Sequence, residues 1–212
     1  MELYEAMTSA GATRRFLSDP VPDEILYRVL DAARYAPSGG NRQGWRVIVV
    51  RDTATRRALR DLYQQPWGEY VARWYPLAPG AEIPPKLQRS NEFAARLDEA
   101  PVHLLICVQR VALNVTDPNA NPSITGGASV YPFVQNLLLA CHAEGLGAVL
   151  TTLLGTREAE VRRLLELPDD YAFAALVPIG YPAPGAKVTK LTRRPVAEFA
   201  VCEKFGGIPF EA

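Results

Sequence analysis

Ala36-Pro37-Ser38-Gly39-Gly40-Asn41-Arg42-Gln43-Gly44-Trp45-Arg46 joins a helix-like segment, which Pro37 ends, to a strand-like run starting at Val47. On the helix side, Asp23 and Glu24 suit a first turn through the helix dipole, and Ile25, Leu26, Val29, Leu30 and Ala33 fall on one face. On the strand side, Val47-Ile48-Val49-Val50 is β-branched without alternation, the pattern of a strand covered on both faces. The residues between have the chemistry of a binding loop. Adjacent glycines allow close backbone approach, Ser38, Asn41 and Gln43 supply donors and acceptors, and Trp45 offers an aromatic face to close a site. Composition alone describes an ordinary polar loop equally well, so the rest of the chain has to decide.

Upstream, residues 2–10 read as a short helix ending near Gly11, followed by Thr13-Arg14-Arg15-Phe16 and a proline-extended stretch to Pro22. Downstream, Asp52 or Thr53 is placed to cap a helix whose buried stripe is Ala58, Leu59, Leu62 and Tyr63. From Pro66 to Pro85 the pattern breaks. Trp67, Tyr70, Trp74 and Tyr75 among prolines read as an irregular lid or substrate-pocket wall, or as a surface for a partner subunit. Residues 86–99 read as helix and Val102–Val108 as a buried strand. A loop over 113–128 then leads to the most apolar helix, about Ser129–Glu144, closed by Gly145 as a left-handed cap. Ala148–Leu154 reads as a strand, Thr156 as the cap of a helix to about Leu167, and Ala172–Ile179 as a last strand. A basic stretch holds Lys187, Lys190, Arg193 and Arg194. The tail 196–212 is too short to fold alone and is expected to dock on something, such as another subunit.

The 212 residues suit one domain over 1–212, with 66–85 as an insertion and 196–212 as a docking tail. Equal numbers of acidic and basic residues, 23 each, leave no electrostatic footprint for nucleic acid or an anionic membrane, so a small molecule or a protein is the expected partner. Cys107, Cys141 and Cys202 are widely spaced and lack a metal-ligand pattern, reading as reduced thiols of a cytoplasmic protein. Glu2 and Glu5 do not fit a signal peptide, no apolar run reaches membrane-spanning length, and the sequon at Asn114 is then fortuitous.

Much chemistry lacks its residues. His103 and His142 sit in apolar elements away from any nucleophile signature and read as structural. There is no P-loop, His-Glu-x-x-His or paired-carboxylate motif, and Gly145-Leu146-Gly147 runs helix to strand, the wrong way for a dinucleotide fingerprint. Cationic and amide groups without a protein nucleophile are expected where a cofactor performs the reaction and the protein orients it.

Three ordered motifs then carry a resemblance. Thr13-Arg14-Arg15-Phe16 with Pro20-Val21-Pro22-Asp23, the Ala36–Trp45 loop, and Gln135–Ala140 closing on Gly145-Leu146-Gly147 together resemble the flavin-dependent nitroreductase family, as does Arg193-Arg194-Pro195. The resemblance covers nearly the whole chain and is weakest over 60–95. It implies an α+β fold, a mostly antiparallel sheet flanked by helices, in a homodimer with an exchanged C-terminal tail and FMN at the interface. By the same resemblance, Arg14 with Arg15, and Arg193 or Arg194, meet the FMN phosphate. Ser38, Gly39 and Asn41 come from the other subunit to the flavin, Gln43 belongs to the cofactor site, and Thr152, Leu153, Leu154 and Gly155 lie along the flavin ring. Trp67, Tyr70 and Trp74 are expected at the substrate. The family's reaction takes a hydride from NAD(P)H and reduces a nitroaromatic or quinone in ping-pong fashion, with no side-chain acid or base and no metal. The alternatives are a dehydrogenase or dehalogenase of one metabolite, or a flavin-binding protein without turnover. Two departures stand out: Ser9-Ala10-Gly11-Ala12 lacks an upstream arginine common in the family, and Gly44 replaces a frequent proline, which is expected to loosen the loop.

Overall fold

In the computed structural model, which describes residues 1–78, 81–113, 125–186 and 191–211, four strands form one antiparallel sheet in the order β1-β2-β4-β3. These are β1 (Trp45–Val50), β2 (Val102–Gln109), β3 (Gly147–Ala148) and β4 (Tyr171–Gly180). The helices are α1 (Leu3–Ser9), α2 (Asp23–Ala33), α3 (Thr53–Trp74), α4 (Pro85–Ala95), α5 (Tyr131–Ala143) and α6 (Glu158–Leu165). The sequon at Asn114 and the basic residues Lys187 and Lys190 lie outside the described residues.

The two-residue period of the central strands divides the core. Leu104, Ile106 and Val108 of β2, with Val177 and Ile179 of β4, face α2 and α5, which supply Leu26, Val29, Ala33, Phe133, Val134, Leu137 and Cys141. Leu105 and Cys107, with Phe173 and Leu176, face the opposite layer, where Leu59, Tyr63, Phe93 and Val161 come from α3, α4 and α6. Truncating a fully buried leucine in either layer costs about 2–5 kcal/mol, so both layers hold the sheet in place. Burial pushes the Cys107 and Cys141 thiols up to about 11 and about 12, leaving them inert. His103 on β2 is buried as well. Its Nε2–H donates to the Leu97 carbonyl at 2.8 Å, and desolvation lowers its pKa to about 4, so it stays neutral and structural.

The structure corrects several local expectations. Val47–Val50 is not covered on both faces. Among the described residues β1 is the sheet's edge strand, paired only with β2, and Val49 is 42% exposed. The break at Pro66 does not occur either: α3 continues from its Asp52 cap through Pro66 and Gly68 to Trp74, so the irregular stretch begins only at Tyr75. One proline removes a single backbone hydrogen bond, and here Pro66 is buried against the second core layer while Trp67 and Tyr63 pack beside it. The strand expected over Ala148–Leu154 is only Gly147–Ala148, with one further bridge from Thr151 to Leu176 and a short 3-10 turn from Leu153. Thr156 caps nothing. Its hydroxyl donates back to the Leu153 carbonyl within that turn, and α6 starts after Arg157. Gly145 does take the left-handed conformation expected of it, with φ +77°.

Candidate functional site

The site begins where residues 12–17 run along the far edge of the sheet. Thr13 N–H donates to Ala148 O at 2.9 Å, Leu17 N–H to Tyr181 O at 2.8 Å, and Ala183 N–H to Arg15 O at 3.1 Å, which clamps this extended stretch between β3 and the end of β4. Alternation then sets the side chains. Thr13 points inward and is buried, lying so close over Gly147 that a Cβ there would meet Thr13 Cγ2 at 2.5 Å. Arg14 points the other way, into a cleft.

That cleft has a volume of about 490 Å³, within the range of small-molecule sites. Tyr63, Trp67 and Tyr70 of α3, at helical spacing, form one wall. Their rings follow one another, with centroids 6.4 Å apart for Tyr63–Trp67 and 5.6 Å for Trp67–Tyr70, and Tyr75 continues the row at 6.2 Å from Tyr70. Leu87, Ser90 and Phe93 of α4 add to the lining, and Trp67 Nε1–H donates to Asn91 Oδ1 at 2.8 Å, tying α3 to α4. Residues 149–153 complete it.

Tyr63 Oη and Thr151 Oγ1 are 3.1 Å apart, and burial raises the phenol's pKa despite that bond and the nearby Arg14 charge. Arg14 as a residue is open to solvent. Even so, desolvation against the cleft, reinforced by the charge of Arg89, lowers its guanidinium's pKa, with Tyr63 opposing. A guanidinium is so strongly basic that the group remains a cation. Among the described residues Arg14 has no carboxylate partner, and no Asp, Glu, His or Cys lines the cleft. The N–H groups of Thr152 and Leu153 likewise meet no protein acceptor among those residues.

A second cleft of about 420 Å³ adjoins the first and shares Arg14, Val149 and Leu150 with it. It is lined by the small residues Ala10, Gly11 and Ala12, by Gln135, Leu138 and His142 of α5, and by Leu146.

The loop over residues 38–43 lines neither cleft. It is built in detail nonetheless. Gly40, Asn41 and Gln43 all have left-handed φ, +59°, +53° and +48°, which costs energy for the two non-glycine residues. Gln43 N–H donates to Ser38 Oγ at 3.0 Å, Gln43 Nε2 to Asn41 Oδ1 at 3.1 Å, and Gly39 N–H to the buried Ser129 Oγ at 3.1 Å. Trp45 does not close a site: it stacks on Phe133 in the core, centroids 5.0 Å apart. Gly44 does not loosen the loop either, since an added Cβ would lie 2.2 Å from Ala112 Cβ. The glycine there permits a close approach.

Of the residues singled out from sequence, the structure gathers Arg14, Thr152, Leu153, Trp67 and Tyr70 around one cleft. Arg15 lies outside both clefts, and Trp74 is 61% exposed beneath Arg73 rather than at the cleft. The Leu154 side chain is fully buried in the second core layer, and Gly155 N–H is already donated to Thr152 O at 2.8 Å. Arg193 and Arg194 are exposed and outside both clefts, with Arg193 Nη1–H donating to Thr192 O at 2.9 Å. Tyr75, expected in the pocket wall, lines the cleft, whereas Tyr63, Thr151, Ser90 and Phe93 were not foreseen at the site. The i, i+4, i+7 spacing of Tyr63, Trp67 and Tyr70 would have found the first of them had the helix been carried past Pro66.

With this geometry in place, known proteins supply the comparison. A sequence model described as the nitroreductase family matches residues 9–181. An NADH dehydrogenase of Thermus thermophilus is 37% identical over 198 residues, 86% of this chain and 89% of that protein. An iodotyrosine deiodinase of Drosophila melanogaster is 30% identical over 200 residues, 94% of this chain and 69% of that protein. A nitroreductase-type protein of Desulfovibrio desulfuricans, solved in complex with FMN, superimposes with a TM-score of 0.71 at 26% identity, covering 97% of this chain and 98% of that one.

Proposed function

The chain belongs to the nitroreductase family, and from that premise we propose that it reduces a small planar aromatic or quinone-like acceptor, a nitroaromatic or a quinone, in ping-pong fashion. It is an NAD(P)H-dependent oxidoreductase with FMN as cofactor. One observation carries the reading: among the described residues, a guanidinium without a carboxylate partner lies with a row of stacked aromatic rings and two open backbone N–H groups in a cleft that no Asp, Glu, His or Cys lines. Those residues fit FMN. Arg14 offers a charge-assisted donor to its polar groups, the N–H groups of Thr152 and Leu153 offer neutral donors, and the aromatic wall offers a flat apolar face.

FMN held there would supply the two-electron chemistry between NAD(P)H and the second substrate. The chain's own residues do the rest. Trp67 and Tyr70 present ring faces on which a planar acceptor stacks, and Tyr63, locked by Thr151, keeps the phenol neutral and its hydroxyl fixed at the cleft wall. Leu87, Phe93 and Val149 exclude water.

The same reading assigns a homodimer in the cytoplasm. Its support is apolar surface: Tyr4 on α1, and Phe199, Phe205, Ile208 and Phe210 in a tail whose short hairpin has no core of its own, Phe205 being fully exposed. No described helix is long and apolar enough to cross a membrane. In the dimer the Ser38–Gln43 loop serves the partner's flavin, and Arg193 or Arg194 reaches the phosphate.

The Ser38→Ala, Asn41→Ala double variant is then expected to weaken FMN binding about tenfold, the size of one or two lost hydrogen bonds, with little change in melting temperature. FMN affinity equal to that of the parent would remove this loop from the site. Steady-state screening of quinones, nitroaromatics and halogenated phenols identifies the acceptor. Turnover confined to halogenated phenols would replace the reductase reading with a dehalogenase.

A further inference from the structure

The first cleft holds a pair of hydroxyl groups whose protons are not all used. Tyr63 of α3 is buried at the inner end of the aromatic row. Thr151 is pinned to β4 in both directions, its N–H donating to Leu176 O and its carbonyl accepting from Leu176 N–H, each at 2.9 Å. Both residues line the cleft, and among the described residues the two hydroxyls, 3.1 Å apart, bond only each other.

Each hydroxyl carries one proton, and the bond between them uses one of the two. A phenol is more acidic than an aliphatic alcohol and the better donor, so Tyr63 Oη–H donates to Thr151 Oγ1 and the threonine proton is left to spare. Thr151 is also the less buried residue of the pair, so its hydroxyl is the one that an occupant of the cleft can reach. Burial raises the Tyr63 pKa against the Thr151 bond and the Arg14 charge, so at neutral pH the phenol keeps its proton, while Arg14 stands near enough to favour the phenolate once that proton has gone.

Resting on the FMN reading, we propose that the Thr151 hydroxyl hydrogen-bonds an oxygen of the acceptor and, with Tyr63 behind it, passes that oxygen a proton. The reaction expected to need no side-chain acid then has a two-residue proton relay. Reduction of a quinone to its hydroquinone takes one hydride and one proton. The hydride carries the electron pair and derives from NAD(P)H by way of the cofactor; the quinone oxygen left negative takes the proton of Thr151 Oγ1. Thr151 Oγ1 takes the proton of Tyr63 Oη in turn, and the phenolate formed near Arg14 regains one from water when the product leaves. A hydroquinone anion and a phenolate are oxyanions of one kind, with a phenol pKa of about 10, so the transfer has no steep uphill step. Thr151 touches the acceptor and is the catalytic residue, whereas Tyr63 acts through it as a positioning residue.

The test compares turnover of 1,4-naphthoquinone with that of ferricyanide, which takes single electrons and no proton, on the FMN-loaded protein. Thr151→Val keeps the shape and removes the hydroxyl, and is expected to lower the quinone-to-ferricyanide ratio about a hundredfold, the low end of what a positioned proton donor contributes. Tyr63→Phe is expected to lower it about tenfold, the size of one lost hydrogen bond, and Thr151→Ser, which keeps the hydroxyl, to preserve it. Calorimetry on the oxidised protein without nucleotide adds a binding readout: Thr151→Val is expected to weaken naphthoquinone about tenfold relative to naphthalene. A turnover ratio that neither Thr151→Val nor Tyr63→Phe changes overturns the proposal, whether both rates hold or both fall together, as does a naphthoquinone-to-naphthalene affinity ratio indifferent to Thr151→Val. Should Thr151→Val fold poorly by circular dichroism, Tyr63→Phe, which keeps the ring, carries the turnover comparison with the same outcomes. A parent that takes up no FMN, or whose flavin neither nucleotide reduces, refutes the FMN reading itself, a result distinct from a parent that reduces quinones with a ratio indifferent to the two hydroxyls.

Discussion

Arg14→Ala is expected to weaken FMN binding about a hundredfold, while Arg15→Ala changes it less than about twofold. The two arginines are adjacent in sequence and of the same residue type, so the contrast comes from where the backbone places each side chain. Thr13 N–H is bound to Ala148 O, and Thr13 is buried over Gly147, which turns Arg14 into the junction of the two clefts and leaves Arg15 outside both. Desolvation already lowers the Arg14 pKa, so the protein bears a cost for holding that cation beside Tyr63 and near Arg89 with no carboxylate partner among the described residues. An anionic or electron-rich ligand recovers this cost, and alanine removes both the cost and the recovery. The apoprotein of Arg14→Ala should therefore melt at or slightly above the parent's temperature while its FMN affinity collapses. Equal effects of the two substitutions, measured by fluorescence titration, would mean that the sheet edge does not sort them as described.

Gly147→Ala is expected to be strongly destabilising. Its Cβ would lie 2.5 to 2.7 Å from three atoms of the buried Thr13 side chain, and none of these is the free end of a flexible chain. Either β3 or the Thr13 stretch has to move, at about 2–3 kcal/mol, which for a chain of this size lowers the melting temperature by roughly 4–12 °C. Since the same contact aims Arg14, FMN affinity should fall too, even well below the melting temperature. Thr13→Ser in the Gly147→Ala background removes the nearest of the three atoms and should recover part of both losses. Differential scanning fluorimetry with and without FMN checks this. A Gly147→Ala protein as stable as the parent would show that the edge tolerates separation from Thr13.

Much of this architecture was legible in the residues. The apolar stripe of α2, the buried run of β2, the Asp52 cap and the left-handed Gly145 follow from local rules that tertiary contacts reinforce. Edge position was not legible: Val47–Val50 has the β-branched composition of a central strand, and only its pairing with β2 alone shows otherwise. Pro66 misled because a proline's cost is fixed while the packing around it is not. With Pro66 buried, the helix continues, and the aromatic residues expected on a loose lid become one ordered face. At the site, Arg14, Trp67, Tyr70, Thr152 and Leu153 were found from motif and composition, whereas Ser90 and Phe93 of α4 and the distant Thr151 converge from two segments far apart in sequence and carry no local signal. The missing arginine over Ser9–Ala12 could be read from the chain. That α5 brings His142 opposite those residues depends on how α1 packs on α5, through the contact of Ser9 with His142.

The central claim is that this chain is a flavin oxidoreductase driven by a reduced nicotinamide. The visible absorption spectrum of the FMN-loaded protein, recorded anaerobically before and after adding NADH or NADPH, tests it most directly. The account predicts a protein-bound flavin band that bleaches on mixing with at least one of the two nucleotides. A protein that takes up no FMN, or a bound flavin whose band is unchanged by both nucleotides, would contradict it.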